Sequence, residues 1–149
     1  AKPDVIYADT SFLVSLYIQD ANSAPAQQLA GALKDPLIFT PLLKHEARNA
    51  FRLAEFCKDI SASECRQFLA AMEADMKSGV LLETPVAWAE VFAAAEALSA
   101  AHTGKLGTRA LDVLHVAAAS VLGVKNFFTF DARQKALAVK AGMRVRGIT

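Results

Sequence analysis

The sequence has no run of 18 uncharged apolar residues, which argues against a membrane-spanning helix. Its longest charge-free stretch of interest, 113–124, is too short to span and contains His115. Glycine and proline are scarce, at 7 and 5 of 149 residues, so long flexible linkers are not expected. The first residues, Ala1-Lys2-Pro3-Asp4, lack the apolar core and small-residue cleavage site of a secretory signal. Only two cysteines are present, Cys57 and Cys65, in no metal-binding or redox spacing. Both are expected to be free thiols, and the default expectation is a cytoplasmic protein. Neither sign of charge dominates, with 16 basic and 15 acidic residues.

What remains is a compact chain. Apolar residues make up 54% and charged ones 21%, which excludes disorder and fits a single domain over 1–149. Val5-Ile6-Tyr7-Ala8 reads as a strand stopped by Asp9-Thr10-Ser11, residues suited to capping a helix over 12–20. A second helix opens at Asn22-Ser23 and closes near Gly31. Leu37-Ile38-Phe39-Thr40 reads as strand two, followed by a helix over 42–58. Ser61-Ala62-Ser63-Glu64 forms a capping-box pattern for a helix ending near Gly79. Strand three is expected over 80–83, and Pro85 opens an alanine-rich helix reaching about Ala101. A loop is expected over 102–107, a buried helix over 109–122, strand four over 126–130, a helix over 132–141 and a last strand over 143–146. Short strands alternating with helices predict an α/β fold, a parallel sheet covered on both faces.

In such sheets ligands sit beyond the carboxyl ends of the strands. That rule sorts the acids. Asp9 follows strand one, Glu46 lies early in the helix after strand two, and Asp131 follows strand four. Asp112 lies in the first turns of the helix that feeds strand four. Each has a plainer role available. Asp9 and Asp131 can cap helices, worth about 1 kcal/mol each, and Glu46 can serve a helix dipole. Asp112 is harder to dismiss, because Ala110-Leu111-Asp112-Val113-Leu114-His115-Val116 is otherwise almost wholly apolar. An unpartnered buried carboxylate costs several kcal/mol, so it needs a cation, a donor or a metal. Arg109 and His115 are three residues to either side and share its face, so an intrahelical pair is the structural alternative.

Like charges gather only around a cation, and all-oxygen ligation selects Mg²⁺ or Mn²⁺ over zinc. His45 (beside Glu46), His102 and His115 have no zinc-ligand spacing; a structural role is expected of each, with only His115 a candidate to support the acids as well. A carboxylate-held divalent ion is the usual equipment for phosphoryl chemistry. Setting four acids aside leaves 11 against 16 basic residues, an excess of five positive charges that suits a phosphate-rich ligand, although on charge alone an ordinary solvated surface fits at least as well. The 9 Phe, 2 Tyr and 1 Trp are spaced for core packing rather than base stacking.

Asp9-Thr10-Ser11, Glu46 with Asn49 one turn on, the Leu111-to-Ala119 segment around Asp112, and Phe128-Thr129-Phe130-Asp131 together resemble the PIN-domain family over about residues 4 to 146. These are nucleases, many of them VapC-type toxins of toxin–antitoxin pairs. The resemblance implies a three-layer sandwich with sheet order 3-2-1-4-5. It implies an acidic tetrad of Asp9, Glu46, Asp112 and Asp131 binding Mg²⁺ or Mn²⁺, with Glu46 holding a water or a second ion. Thr10 or Ser11, Asn49 and Thr129 become supporting polar residues. It further implies RNA cleavage to a 5′-phosphate and a 3′-hydroxyl, homodimers, and an antitoxin whose C-terminal segment lies on the helical pair over 42–77. Arg109 either binds the scissile phosphate or salt-bridges Asp112. Arg133 either touches the RNA backbone or is simply exposed.

Three other readings compete: a PIN nuclease without antitoxin, a PIN-fold binding module without chemistry, and a phosphorelay receiver. The receiver needs an aspartate after its middle strand and a lysine after its last. Strand three instead ends in Glu83-Thr84-Pro85, and no lysine stands at the matching place.

Overall fold

A computed structural model describes residues 5–32 and 35–147; the Ala1-Lys2-Pro3-Asp4 segment lies outside the described residues. Five short strands, β1 (Ile6–Ala8), β2 (Leu37–Phe39), β3 (Leu81–Glu83), β4 (Asn126–Phe128) and β5 (Arg144–Arg146), form one wholly parallel sheet. Its order is β3-β2-β1-β4-β5, as the resemblance implies. Ile6 stands opposite both Leu37 and Asn126, which makes β1 the central strand. Every residue of β1 and β2 is buried, whereas the edge strands β3 and β5 alternate or open to solvent. That gradient is what a parallel sheet covered on both faces requires.

The helices are α1 (Thr10–Ser15), α2 (Ser23–Ala32), α3 (Pro41–Phe56), α4 (Ala62–Ser78), α5 (Trp88–Leu98), a short α6 (Gly104–Leu106), α7 (Ala110–Val121) and α8 (Ala132–Lys140). The chain runs from β1 outward to β3 in one direction and from β4 to β5 in the other. Right-handed crossovers then put α1–α4 on one face and α5–α8 on the opposite one. The packing agrees, with α1 on α3, α3 on α4, α5 on α7 and α7 on α8.

Polar residues at the strand ends start these helices. Asp9 accepts from the Phe12 N–H, Thr40 from the Leu43 N–H with Pro41 in the first turn, and Asp131 from the Arg133 and Gln134 N–H groups. Ser61 and Glu64 complete the expected capping box reciprocally. Strand β4 ends at Phe128 rather than at the expected Phe130, and three helical expectations shift. Helix α1 stops at Ser15 rather than near residue 20, because the Asp20 carboxylate accepts from the Ser15 hydroxyl and the Asn22 N–H and turns the chain locally. The helix expected to open at Pro85 begins at Trp88. The loop expected over 102–107 is helical: Ser99–Thr103 bonds in π register and α6 continues it. Gly104 keeps helical angles, and only Gly107, at φ +67°, ends the run.

Phe12, wholly buried at the start of α1, packs its ring 5.2 Å from those of both Phe128 and Phe130. This aromatic cluster joins the helix after β1 to the end of β4, and so holds the two strand ends in register. Phe12→Ala is expected to cost about 3–5 kcal/mol in equilibrium urea unfolding, with the m-value unchanged.

Candidate active site

Asp9 is the innermost of the four acids, at 5% exposure. One oxygen, Oδ1, accepts from the Phe12 N–H at 2.8 Å, and Oδ2 accepts from the Thr129 hydroxyl at 2.6 Å. Burial pushes its carboxyl up to about 6, against the downward pull of Thr129 and the Phe12 N–H; the Asp112 charge adds to the rise. Thr129 is wholly buried and lies 3.1 Å from the Gln134 Oε1, while its oxygen accepts from the Asp131 N–H at 2.9 Å. Gln134 in turn donates from Nε2 to the Asp112 carbonyl at 3.4 Å. With its one hydrogen given to Asp9 and its oxygen accepting from the Asp131 N–H, this buried hydroxyl ties β1 to the end of β4 and the start of α8.

Asp112 and Asp131 share a cavity of about 400 Å³ with Arg109, Ala132 and Arg133. Burial and then the Asp131 charge raise the Asp112 carboxyl, while Arg109 and His115 lower it. Arg109 Nε stands 3.6 Å from Asp112 Oδ2, but the arginine side chain is 79% exposed, so this pair is held loosely. The Arg133 backbone N–H caps on Asp131, and the residue itself is exposed.

Glu46, half-buried on α3, meets a different set. Its Oε1 accepts from the Thr10 hydroxyl at 3.0 Å and lies 2.5 Å from His115 Nε2. Burial raises its carboxyl, but His115, through both hydrogen bond and charge, and Thr10 overcome that and hold it below the ordinary carboxylate range. Ser11 is exposed, and among the described residues no hydrogen bond involves its side chain; Asn49 is exposed one turn beyond Glu46. Of the two hydroxyls considered after β1, it is Thr10 that meets Glu46. His115 is buried and bonded to Glu46, whereas His45 is exposed.

Among the described residues no three His, Cys, Asp or Glu side chains are drawn together tightly enough to enclose an ion. In its chemistry the set nevertheless fits a hard divalent cation. The donors are carboxylate oxygens, and the charge of Asp131 raises Asp112 as that of Asp112 raises Asp9. This chain of mutual repulsion is what a cation relieves. Sequence reasoning missed Gln134 and Tyr7. Tyr7 is wholly buried in β1, with its hydroxyl 2.6 Å from His115 Nδ1. A polar residue one turn into a capped helix, as Gln134 is, and a tyrosine in a strand give no signal in sequence beyond their polarity.

The PIN domain family model matches residues 6–140. The Mycobacterium tuberculosis VapC20 toxin, described as cleaving the sarcin-ricin loop, is similar in structure, with a TM-score of 0.65 at 20% identity over 88% of this chain and 93% of that one. No curated protein matches the sequence.

Folded Asp9 holds its proton more tightly than the unfolded chain does. Stability from this group is full below the ordinary value of 3.8 and is lost as pH rises through about 6. In the metal-free protein Asp9→Asn is therefore expected to stabilise by roughly 2 kcal/mol at pH 8 and by nearly nothing at pH 3.5. Tm measured for both proteins across that range checks it; an equal gain at both ends would contradict the assignment of strain to Asp9.

Proposed function

Since the chain belongs to the PIN domain family, we propose that it is an Mg²⁺- or Mn²⁺-dependent endoribonuclease of the VapC toxin type, hydrolysing RNA phosphodiester bonds. The observation that carries this reading is the paired Asp112 and Asp131 in one open cavity flanked by Arg109 and Arg133. Acids alone would repel a polyphosphate. Acids between two arginines suit one that arrives together with a divalent ion.

Asp9, Asp112 and Asp131 would hold the ion, with Glu46 beside them. When bound, such an ion lowers the pKa of an attacking water and offsets charge on the phosphate and the leaving oxygen. The chain's own residues supply the frame. Thr129 and the Phe12 N–H orient the two Asp9 oxygens, and Thr10 restrains Glu46. Arg109, loosely paired to Asp112, is free to swing onto a phosphate oxygen, and Arg133 extends the basic flank along the RNA backbone. The products would be a 5′-phosphate and a 3′-hydroxyl.

A toxin of this type acts on RNA in the cytoplasm, as a homodimer restrained by an antitoxin. Support for a protein partner comes from α3, where Leu53 and Phe56 are 56% and 83% exposed on the helical pair the resemblance assigns to the antitoxin. No helix among the described residues is long and apolar enough to cross a membrane.

Asp9→Asn and Asp112→Asn are each expected to lower Mn²⁺-stimulated cleavage of single-stranded RNA by about a hundredfold or more. Mn²⁺ should raise the Tm of the parent and fail to raise that of either variant. Parent-like cleavage by purified Asp112→Asn would remove the acids from the reaction and the proposal with them.

A further inference from the structure

His115 sits among the most apolar residues of the chain, with Val113 and Val116 to Ala119 all buried beside it on α7. An aliphatic side chain would pack there without needing a hydrogen-bond partner. The imidazole instead has both nitrogens matched by residues far away in sequence. Nδ1 lies 2.6 Å from the hydroxyl of Tyr7 in β1, and Nε2 lies 2.5 Å from Oε1 of Glu46 in α3. Its side chain is 3% exposed and that of Glu46 is 21% exposed, so the contact runs from the interior outward to the rim of the site. Tyr7 is itself immobilised, its ring stacked on Phe127 at 5.4 Å and tilted against His115 at 5.7 Å.

The proton positions follow from hydrogen-bond accounting. The Tyr7 hydroxyl can donate to a bare Nδ1 or accept from a protonated one, so that nitrogen is partnered in either state. The Glu46 oxygen facing it is a carboxylate acceptor, so Nε2 is the nitrogen that carries a hydrogen. Oε1 then receives two donors, the His115 N–H and the Thr10 hydroxyl, and its lone pairs are filled. Among the described residues Oε2 takes no hydrogen bond, which leaves it for the site.

We propose that His115, oriented by Tyr7, is a positioning residue for phosphodiester cleavage: it clamps one oxygen of Glu46 so that the glutamate presents a single, fixed oxygen to the reacting centre. The inference rests on the nuclease reading for its consequence, but the clamp itself is a property of the folded chain. Glu46 leaves α3 on a side chain with three rotatable bonds, and freezing it beforehand removes an ordering step from each turnover. Asp9 is fixed by its own helix N–H and by Thr129. Among the described residues no backbone N–H reaches the Glu46 side chain, and the imidazole takes that part.

Two measurements separate the clamp from the activity. In metal-free protein, long-range ¹H–¹⁵N spectra of the three histidines should show a hydrogen on His115 Nε2. Glu46→Gln should shift that nitrogen and Tyr7→Phe should shift Nδ1, with His102 unmoved by either. A His115 Nε2 without a hydrogen, or one indifferent to Glu46→Gln, overturns the clamp whatever the RNA assay reads. In the cleavage assay His115→Leu should lower kcat about ten- to a hundredfold with KM for RNA little changed. His115→Gln, whose amide can place an N–H near the Nε2 position, should recover most of the loss. In a Glu46→Gln background His115→Leu should cost nothing more, because it acts only through that carboxylate. A full additional loss there, or equal loss in the leucine and glutamine variants, reduces His115 to a packing residue. Should no protein in the series cleave RNA while the spectra behave as stated, the nuclease reading fails and the clamp stands.

Discussion

A carboxylate buried at the end of the central strand is the constraint on which the rest of the site depends. Asp9 belongs to neither solvent nor a salt bridge, and a charge so placed is tolerated only if every lone pair that can be served is served. The fold meets that demand from two sides. The first turn of α1 supplies an N–H to one oxygen, and the buried Thr129 hydroxyl supplies the other bond. Thr129 can do so only because β4 pairs in register with β1 and because α8 begins at once after it, bringing the Asp131 N–H onto the same hydroxyl. Sheet register, helix start and carboxylate placement are thus one arrangement seen from three directions.

The four acids are not equivalent, and their surroundings account for the difference. Asp9 is raised by burial, and Asp112 by burial and by Asp131. Glu46 is lowered, because an imidazole and a hydroxyl face it in place of another acid. Pairs of titratable groups pushed in opposite directions are a recurrent mark of functional sites. Here the aspartates carry repulsion that a cation would relieve. The glutamate is already satisfied on one side and available on the other.

The two supporting networks run through the sheet and the same helical layer, but through different helices of it, α7 in one and α8 in the other. Tyr7 and His115 reach Glu46 through α7, while Thr129, bonded to the start of α8, reaches Asp9 from the end of β4. Both are buried, and both replace apolar packing with polar contacts in the interior. Such substitutions are seldom neutral for stability unless fully bonded, and no buried side-chain polar atom among the described residues lacks a partner. The apolar cluster of Phe12, Phe128 and Phe130 supplies the rigidity that lets these bonds keep their lengths.

Much of this was legible in the chain before folding. Strand ends, capping residues and the Ser61–Glu64 box are local signals, each decided within about four residues, and the structure repeats them. The parallel sheet followed from short apolar strands spaced by helices, and its order from the family resemblance. The carboxyl-edge rule was enough to bring forward Asp9, Glu46, Asp112 and Asp131. Local patterns misled where competing bonds were within reach, as at Asp20, which ended α1 early, and at Gly104, which stayed helical. Which group each acid faces was beyond the sequence. Tyr7 and His115 are 108 residues apart, His115 and Glu46 69, and Thr129 and Asp9 120. Where carboxylates could end strands and begin helices was set locally, by backbone groups a few bonds away, and could be read along the chain. Which acid meets a hydroxyl, an imidazole or another acid arose on folding, because burial and neighbouring charge come from segments that are distant in sequence.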